Sequence, residues 1–216
     1  MTTHNFDIRF KTRVEKTPRV LEVAEAFGIG LADSEFVIYD NLDLEVEDTD
    51  IVYITGQSGS GKSLLLKELA RKLEGTKKVM RLDDVVLEEV PVIDQIGESF
   101  SEGLDFLAKA GVSDAFLHVR KPSELSDGQR YRVKLAKLIE SGADVWVADE
   151  FGAVLDRYTA KGIAYNMSRT ARKAGACLIV ATTHTDLEEE LGPNVVVTKH
   201  YRERIKVDYP TEVSDA

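Results

Sequence analysis

Residues 56–63 read GQSGSGKS and stand between the apolar run Ile51-Val52-Tyr53-Ile54 and Leu64-Leu65-Leu66. No other stretch constrains the chain as tightly. It satisfies G-x-x-x-x-G-K-[ST], with a strand signal before it and the helical spacing of Leu65, Leu66, Leu69, Ala70 and Leu73 after it. Glycines let a backbone wrap closely around phosphate oxygens, the N–H groups of the loop and of the next helix supply a positive field, and Lys62 adds a mobile charge. Gly56, Gln57, Ser58, Gly59, Ser60, Gly61, Lys62, Ser63 and Leu64 are therefore the candidate cradle for a nucleoside triphosphate, and the Ser63 hydroxyl can face Mg2+.

The rest of the chain supplies a frame for such a loop. FDIRFKTRV (6–14) and EFVIYDNLDLEV (35–46) carry strand signals, IVYIT precedes the loop, and DVWVAD, CLIVATT and VVVTK read as buried strands. KVMRL, VVLEEV and ERIKVDY read as further strands, helices are expected over 94–110, from Ser123 and over Thr159–Ala174, and TEVSDA reads as a polar tail. Near-continuous apolar strands alternating with helices indicate an α/β chain with a mostly parallel sheet covered on both faces and an N-terminal antiparallel addition. The single cysteine, Cys177, reads as a small buried side chain. No stretch reaches the roughly 18 apolar residues of a membrane span, so a cytoplasmic protein is expected. A formal charge of −10 argues against broad nucleic-acid or anionic-membrane binding. Two basic stretches stand out against it: Arg9 to Arg19, and Arg157, Lys161, Arg169, Arg172 and Lys173 within an acid-free run over 157–175.

A triphosphate needs an acidic partner for its metal. Val145-Trp146-Val147-Ala148-Asp149-Glu150 is a buried strand ending in two carboxylates, which brings Asp149 to the carboxyl edge of the sheet as a metal ligand and Glu150 beside it as the candidate general base.

With these motifs the chain resembles the ATP-binding-cassette (ABC) ATPases. Leu125-Ser126-Asp127-Gly128-Gln129 looks like the LSGGQ signature, and His184 in VATTHTDL matches the switch histidine. The resemblance implies a compact P-loop ATPase of one domain over 1–216: an N-terminal β part to about 55, a core over 56–94 and 140–210, a reduced helical and signature subdomain over 95–139, and a tail over 211–216. It implies Mg-ATP hydrolysis in a head-to-tail homodimer, with Lys62, Gln95, Glu150 and His184 catalytic and Ser63, Gln95 and Asp149 at the metal. Ser126, Gly128, Gln129 and the D-loop residue Asp156 would meet the nucleotide held by the other copy, and Phe27, with Phe36 or Tyr39 as alternatives, would stack on adenine. Two departures carry questions: Asp127 replaces a signature glycine, and Phe151-Gly152 follow Glu150 where the family usually has proline. Ser126 lies 64 residues after Lys62 and 31 after Gln95, intervals shorter than those of transporter subunits in this family. The reading placed first is thus a soluble ATPase coupled to a macromolecular partner, nucleic acid or a nucleic-acid-modifying enzyme. The alternatives are the ATPase subunit of a membrane transporter with a separate membrane chain, and an ATP-gated adaptor with slow hydrolysis.

Overall fold

Unbroken valine and isoleucine runs make strands that need cover on both faces. The computed structural model describes residues 2–200 and 205–210. Its elements are β1 (Thr2–Thr12), α1 (Pro18–Phe27), β2 (Ser34–Val46), β3 (Ile51–Gly56), α2 (Lys62–Leu73), β4 (Val79–Arg81), α3 (Phe100–Lys109), α4 (Ala115–His118), α5 (Asp127–Glu140), β5 (Val145–Ala148), α6 (Arg157–Ala174), β6 (Cys177–Thr182), α7 (Glu188–Leu191), β7 (Val195–Lys199) and β8 (Lys206–Asp208). The tail over 211–216 and the first part of ERIKVDY lie outside the described residues.

Six strands form one sheet in the order β4-β5-β6-β3-β7-β8, parallel throughout except for β8, which runs antiparallel to β7. Every residue of β3, β5 and β6 is buried. Side chains alternate across a strand, so Ile51, Tyr53, Trp146, Leu178 and Val180 share one face, in a cluster with Leu107 of α3, Leu135 of α5, Ile163 of α6 and Leu191 of α7. Helix α2 packs on β3, β5 and β6 with Leu65, Leu66 and Leu69 buried. Each such leucine contributes roughly 2 kcal/mol by leaving water. Burial pushes the Cys177 thiol up to about 12, as suits an inert core residue.

Contacts divide the chain into two compact units, Asn5–Leu44 and Met1–His4 with Glu45–Ala216. In the smaller one β1 and β2 pair, joined by Asn5 donating to Asp43 at 2.8 Å and by the Arg9–Asp40 ion pair at 2.7 Å. Thr17 caps α1, Pro18 opens it, Gly28 closes it in the left-handed region, and α1 has no buried residue.

Three sequence expectations need correction. VVLEEV is not a strand: Gln95 accepts from the Glu88 N–H and donates to the Glu88 and Val90 carbonyls, which fixes this segment as a loop. The helix expected from 94 begins only at Phe100, capped by Ser99, because Gly97 (φ 76°) approaches the Gly103 backbone so closely that a Cβ on it would lie 2.4 Å from the Gly103 nitrogen. The helix expected from Ser123 starts at Asp127, since Ser126 rather than Ser123 provides the cap.

Gly56 has φ 136°, and a Cβ there would stand 1.9 Å from the Lys199 carbonyl oxygen on the neighbouring β7. Gly56→Ala is therefore expected to cost at least about 2 kcal/mol, read as a lowered denaturation midpoint; an unchanged midpoint would contradict this backbone contact.

Candidate functional site

Strand β3 ends at Gly56, and the chain turns through 57–61 into α2, whose N-cap Gly61 lies at φ 101° with no side-chain cap and no acidic residue in the first turn. The positive end of α2 is thus uncompensated, as an anion site requires. Lys62, 8% exposed, folds back so that its ammonium donates to the carbonyls of Gly56 at 2.9 Å and Gln57 at 2.7 Å. Burial pulls this ammonium below the ordinary lysine range, while the Asp149 and Glu150 carboxylates draw it back up. The Ser60 hydroxyl in the same loop is buried without a hydrogen-bond partner. Left-handed glycines, an uncapped helix end, an orphaned hydroxyl and a lysine with one uncommitted N–H fit a triphosphate.

The neighbouring strands bring the other groups to the same sheet edge. Asp149 follows β5, and its Oδ1 accepts from the Ser63 hydroxyl at 2.9 Å and from the Glu150 N–H at 3.0 Å. Hydroxyl and carboxylate together form a hard-oxygen donor set suited to Mg2+. Glu150 is exposed and held at φ 49°, an unfavourable backbone region for a residue with a Cβ. The turn that follows is tied down by Phe151 N–H donating to Ala181 O at 2.8 Å and Gly152 N–H to the Tyr131 hydroxyl at 3.0 Å. Proline at 151 could not make the first bond, so this departure from the family pattern has its own anchor. His184 lies just beyond β6, between the two other strand ends: its N–H donates to Thr182 Oγ1 at 3.1 Å, and its carbonyl accepts from Thr55 Oγ1 at 3.1 Å and from the Tyr53 hydroxyl.

The signature stands on α5. Ser126 and Gln129 form a reciprocal capping box, at 2.9 and 3.3 Å. Asp127 pairs with Arg130, which offsets the charge that replaces a glycine. Gly128 lies against the segment before α6, where a Cβ would meet Val154 O and Leu155 Cδ2 at 3.3 Å. Asp156 caps α6, accepting from the Tyr158 and Thr159 N–H groups at 3.1 Å. Its carboxyl is held below the usual range chiefly by the Thr159 hydroxyl.

The Gln95 amide is engaged by the 88–90 loop, accepting from the Glu88 N–H at 3.0 Å and donating to the Glu88 and Val90 carbonyls at 3.0 and 3.1 Å. Register pairs Arg81 with Val147, and the chain then leaves β4 in a short 3-10 turn over Leu82–Asp84. Of the adenine candidates, Phe27 is 77% exposed and Phe36 45%, whereas Tyr39 is fully buried and so belongs to packing.

Two outcomes follow. Gln95→Ala should lower stability by about 1–2 kcal/mol and leave kcat within about threefold; a drop of a hundredfold or more would return Gln95 to the metal. ATP restores the charged form of Lys62, so binding should take up a proton at alkaline pH, and affinity should fall as pH rises through the lowered Lys62 value. Calorimetry in two buffers of different ionisation enthalpy measures this; equal apparent heats would contradict it.

A family model described as "ABC transporter" matches residues 39–110. The aliphatic sulfonates import ATP-binding protein SsuB 2 of Frankia alni is 28% identical over 191 residues, covering 81% of this chain and 76% of that protein. The cytochrome c biogenesis ATP-binding export protein CcmA of Nitrobacter winogradskyi is 31% identical over 173 residues, covering 69% and 86%. In fold, the chain is similar to a dimeric ATP-binding cassette solved in a post-hydrolysis state with ADP and Pi, at a TM-score of 0.67 and 16% identity over 95% of this chain and 98% of that one. It is also similar to the cbiO1 protein of Clostridium perfringens, part of an ABC transporter complex, at 0.61 and 19% over 82% and 84%. Motifs, fold and relatives agree, and the chain belongs to the ATP-binding-cassette family of ATPases.

Proposed function

We propose that this ABC ATPase is the ATP-hydrolysing subunit of a membrane transporter, working at the cytoplasmic face as a head-to-tail pair of copies on a separate membrane-spanning chain. The observation that carries this is the character of its relatives, which are named as ATP-binding proteins of import and export systems. They favour a membrane partner over the nucleic-acid partner that the sequence reading placed first. Among the described residues no helix is long and apolar enough to cross a membrane.

In this reading Gly56–Ser63 and the start of α2 hold the triphosphate, and Lys62 exchanges its carbonyl partners for phosphate oxygens. Ser63 and Asp149 would hold Mg2+, which supplies charge neutralisation at the terminal phosphates. Glu150 polarises a water that attacks the γ-phosphorus, the bond from that phosphorus to the β–γ bridging oxygen breaks to give ADP and Pi, and His184 steadies the water and the γ-phosphoryl oxygens. Ser126 and Gly128 meet the γ-phosphate held by the other copy, so ATP joins the two chains and its hydrolysis releases them.

One observation favours a partner without a transporter's docking subdomain: between Gln95 and Ser126 the chain forms only the ten-residue α3 and the four-residue α4 as α-helices. Purification of the chain with its native partners separates the readings. A polytopic membrane protein in the complex is expected, whereas a complex of nucleic acid or a modifying enzyme would overturn the transporter reading. Glu150→Gln should lower kcat at least about a hundredfold and give an ATP-dependent dimer by light scattering; a monomer at saturating Mg-ATP would contradict the mechanism.

A further inference from the structure

A cleft of about 880 Å3 opens at the edge of the sheet remote from the glycine loop, where β5 and β6 begin and α3, α5 and α6 end. Its floor is apolar, with Ile139, Ala143 and Ala176 around Trp146, and the Trp146 indole N–H is buried with no acceptor. A buried donor left unpaired is costly, and this one belongs to a residue that lines the cleft. The rim is cationic. Of the five basic residues in the acid-free run over 157–175, Arg157 and Lys161 pair with Asp186 and Glu190, and Arg172 donates to the Gly192 carbonyl. Arg169 and Lys173 remain on the cleft wall with no acidic partner among the described residues. Tyr165 orients Arg169, its hydroxyl accepting at 3.1 Å and its ring lying 5.5 Å below the guanidinium.

Lysines in a last helical turn offset the helix dipole, which accounts for Lys173 and for Lys109, itself paired with Asp105. It does not account for Arg169, a turn earlier, or for the unpaired indole. Asp144 and the carbonyl ends of three helices also face this region, which disfavours a continuous polyphosphate. We infer that the cleft is the docking site for an acidic segment of a protein partner, which sets one bulky apolar side chain on the floor beside Trp146 and carboxylates on Arg169 and Lys173. Helices α5 and α6 begin at the caps Ser126 and Asp156, so the segment would grip the far ends of the two helices that start at the ATP interface. The inference stands whether or not the ATPase's partner crosses a membrane.

The test is a displayed library of roughly twelve-residue random peptides, selected on the full chain with counter-selection on Arg169→Glu/Lys173→Glu. Trp146 is the only tryptophan, so its emission reports directly on the cleft. Enriched peptides should be acidic with a Leu or Phe anchor. The best of them, synthesised, should shift Trp146 emission saturably and bind the double variant at least about tenfold more weakly. The variant should melt as the wild type does and keep its basal ATPase. Enrichment of neutral or basic peptides, no enrichment over the variant, or acidic binders that leave Trp146 emission unmoved would each overturn the proposal. So would an oligothymidine that shifts the emission where acidic peptides do not.

Discussion

Parallel pairing of β6 with β3 on one side and β5 on the other is the constraint on which the site depends. Parallel strands end at a common edge, so residues distant in sequence leave the sheet as neighbours: the glycine loop after β3, Asp149 after β5 and His184 after β6. Every residue in the three strands is buried, so a slip by one would move each side chain to the opposite packed face and disrupt the packing on both. The bond between Ser63 and Asp149 then closes the edge by joining the start of α2 to the end of β5.

Rigid backing on one side allows an unfavourable conformation on the other. Glu150 holds its positive φ because its own N–H is fixed by Asp149 and the next two N–H groups are fixed by Ala181 and Tyr131. The second half of the assembly has a similar economy: Ser126 caps α5, Asp156 caps α6, and the missing side chain of Gly128 lets the two starts lie together. Asp127, which looked like a misplaced charge, is neutralised within its own first turn by Arg130.

The strands and the glycine loop were legible in the sequence because their signals are local: apolar runs, a fixed spacing of glycines, and a lysine in register. The stretch between β4 and α5 was much less so. VVLEEV has strand composition, but the Gln95 amide satisfies the backbone there and no neighbouring strand takes it up. Gln95 was read as a metal-sensing residue from its place in the order of motifs, and its three bonds to the 88–90 loop are long enough in sequence that only the fold reveals them. Position of the α5 cap at Ser126 instead of Ser123 was likewise a choice between two serines that capping geometry decides.

The central claim is that the glycine loop is half of a site, completed by Ser126 and Gly128 of a second copy. Mixing two inactive variants, Lys62→Ala and Ser126→Arg, tests it most directly. In a head-to-tail heterodimer one site combines both defects and the other is intact, so an equimolar mixture should recover about a quarter of the wild-type ATPase rate. A mixture as inactive as either variant alone would contradict the composite site.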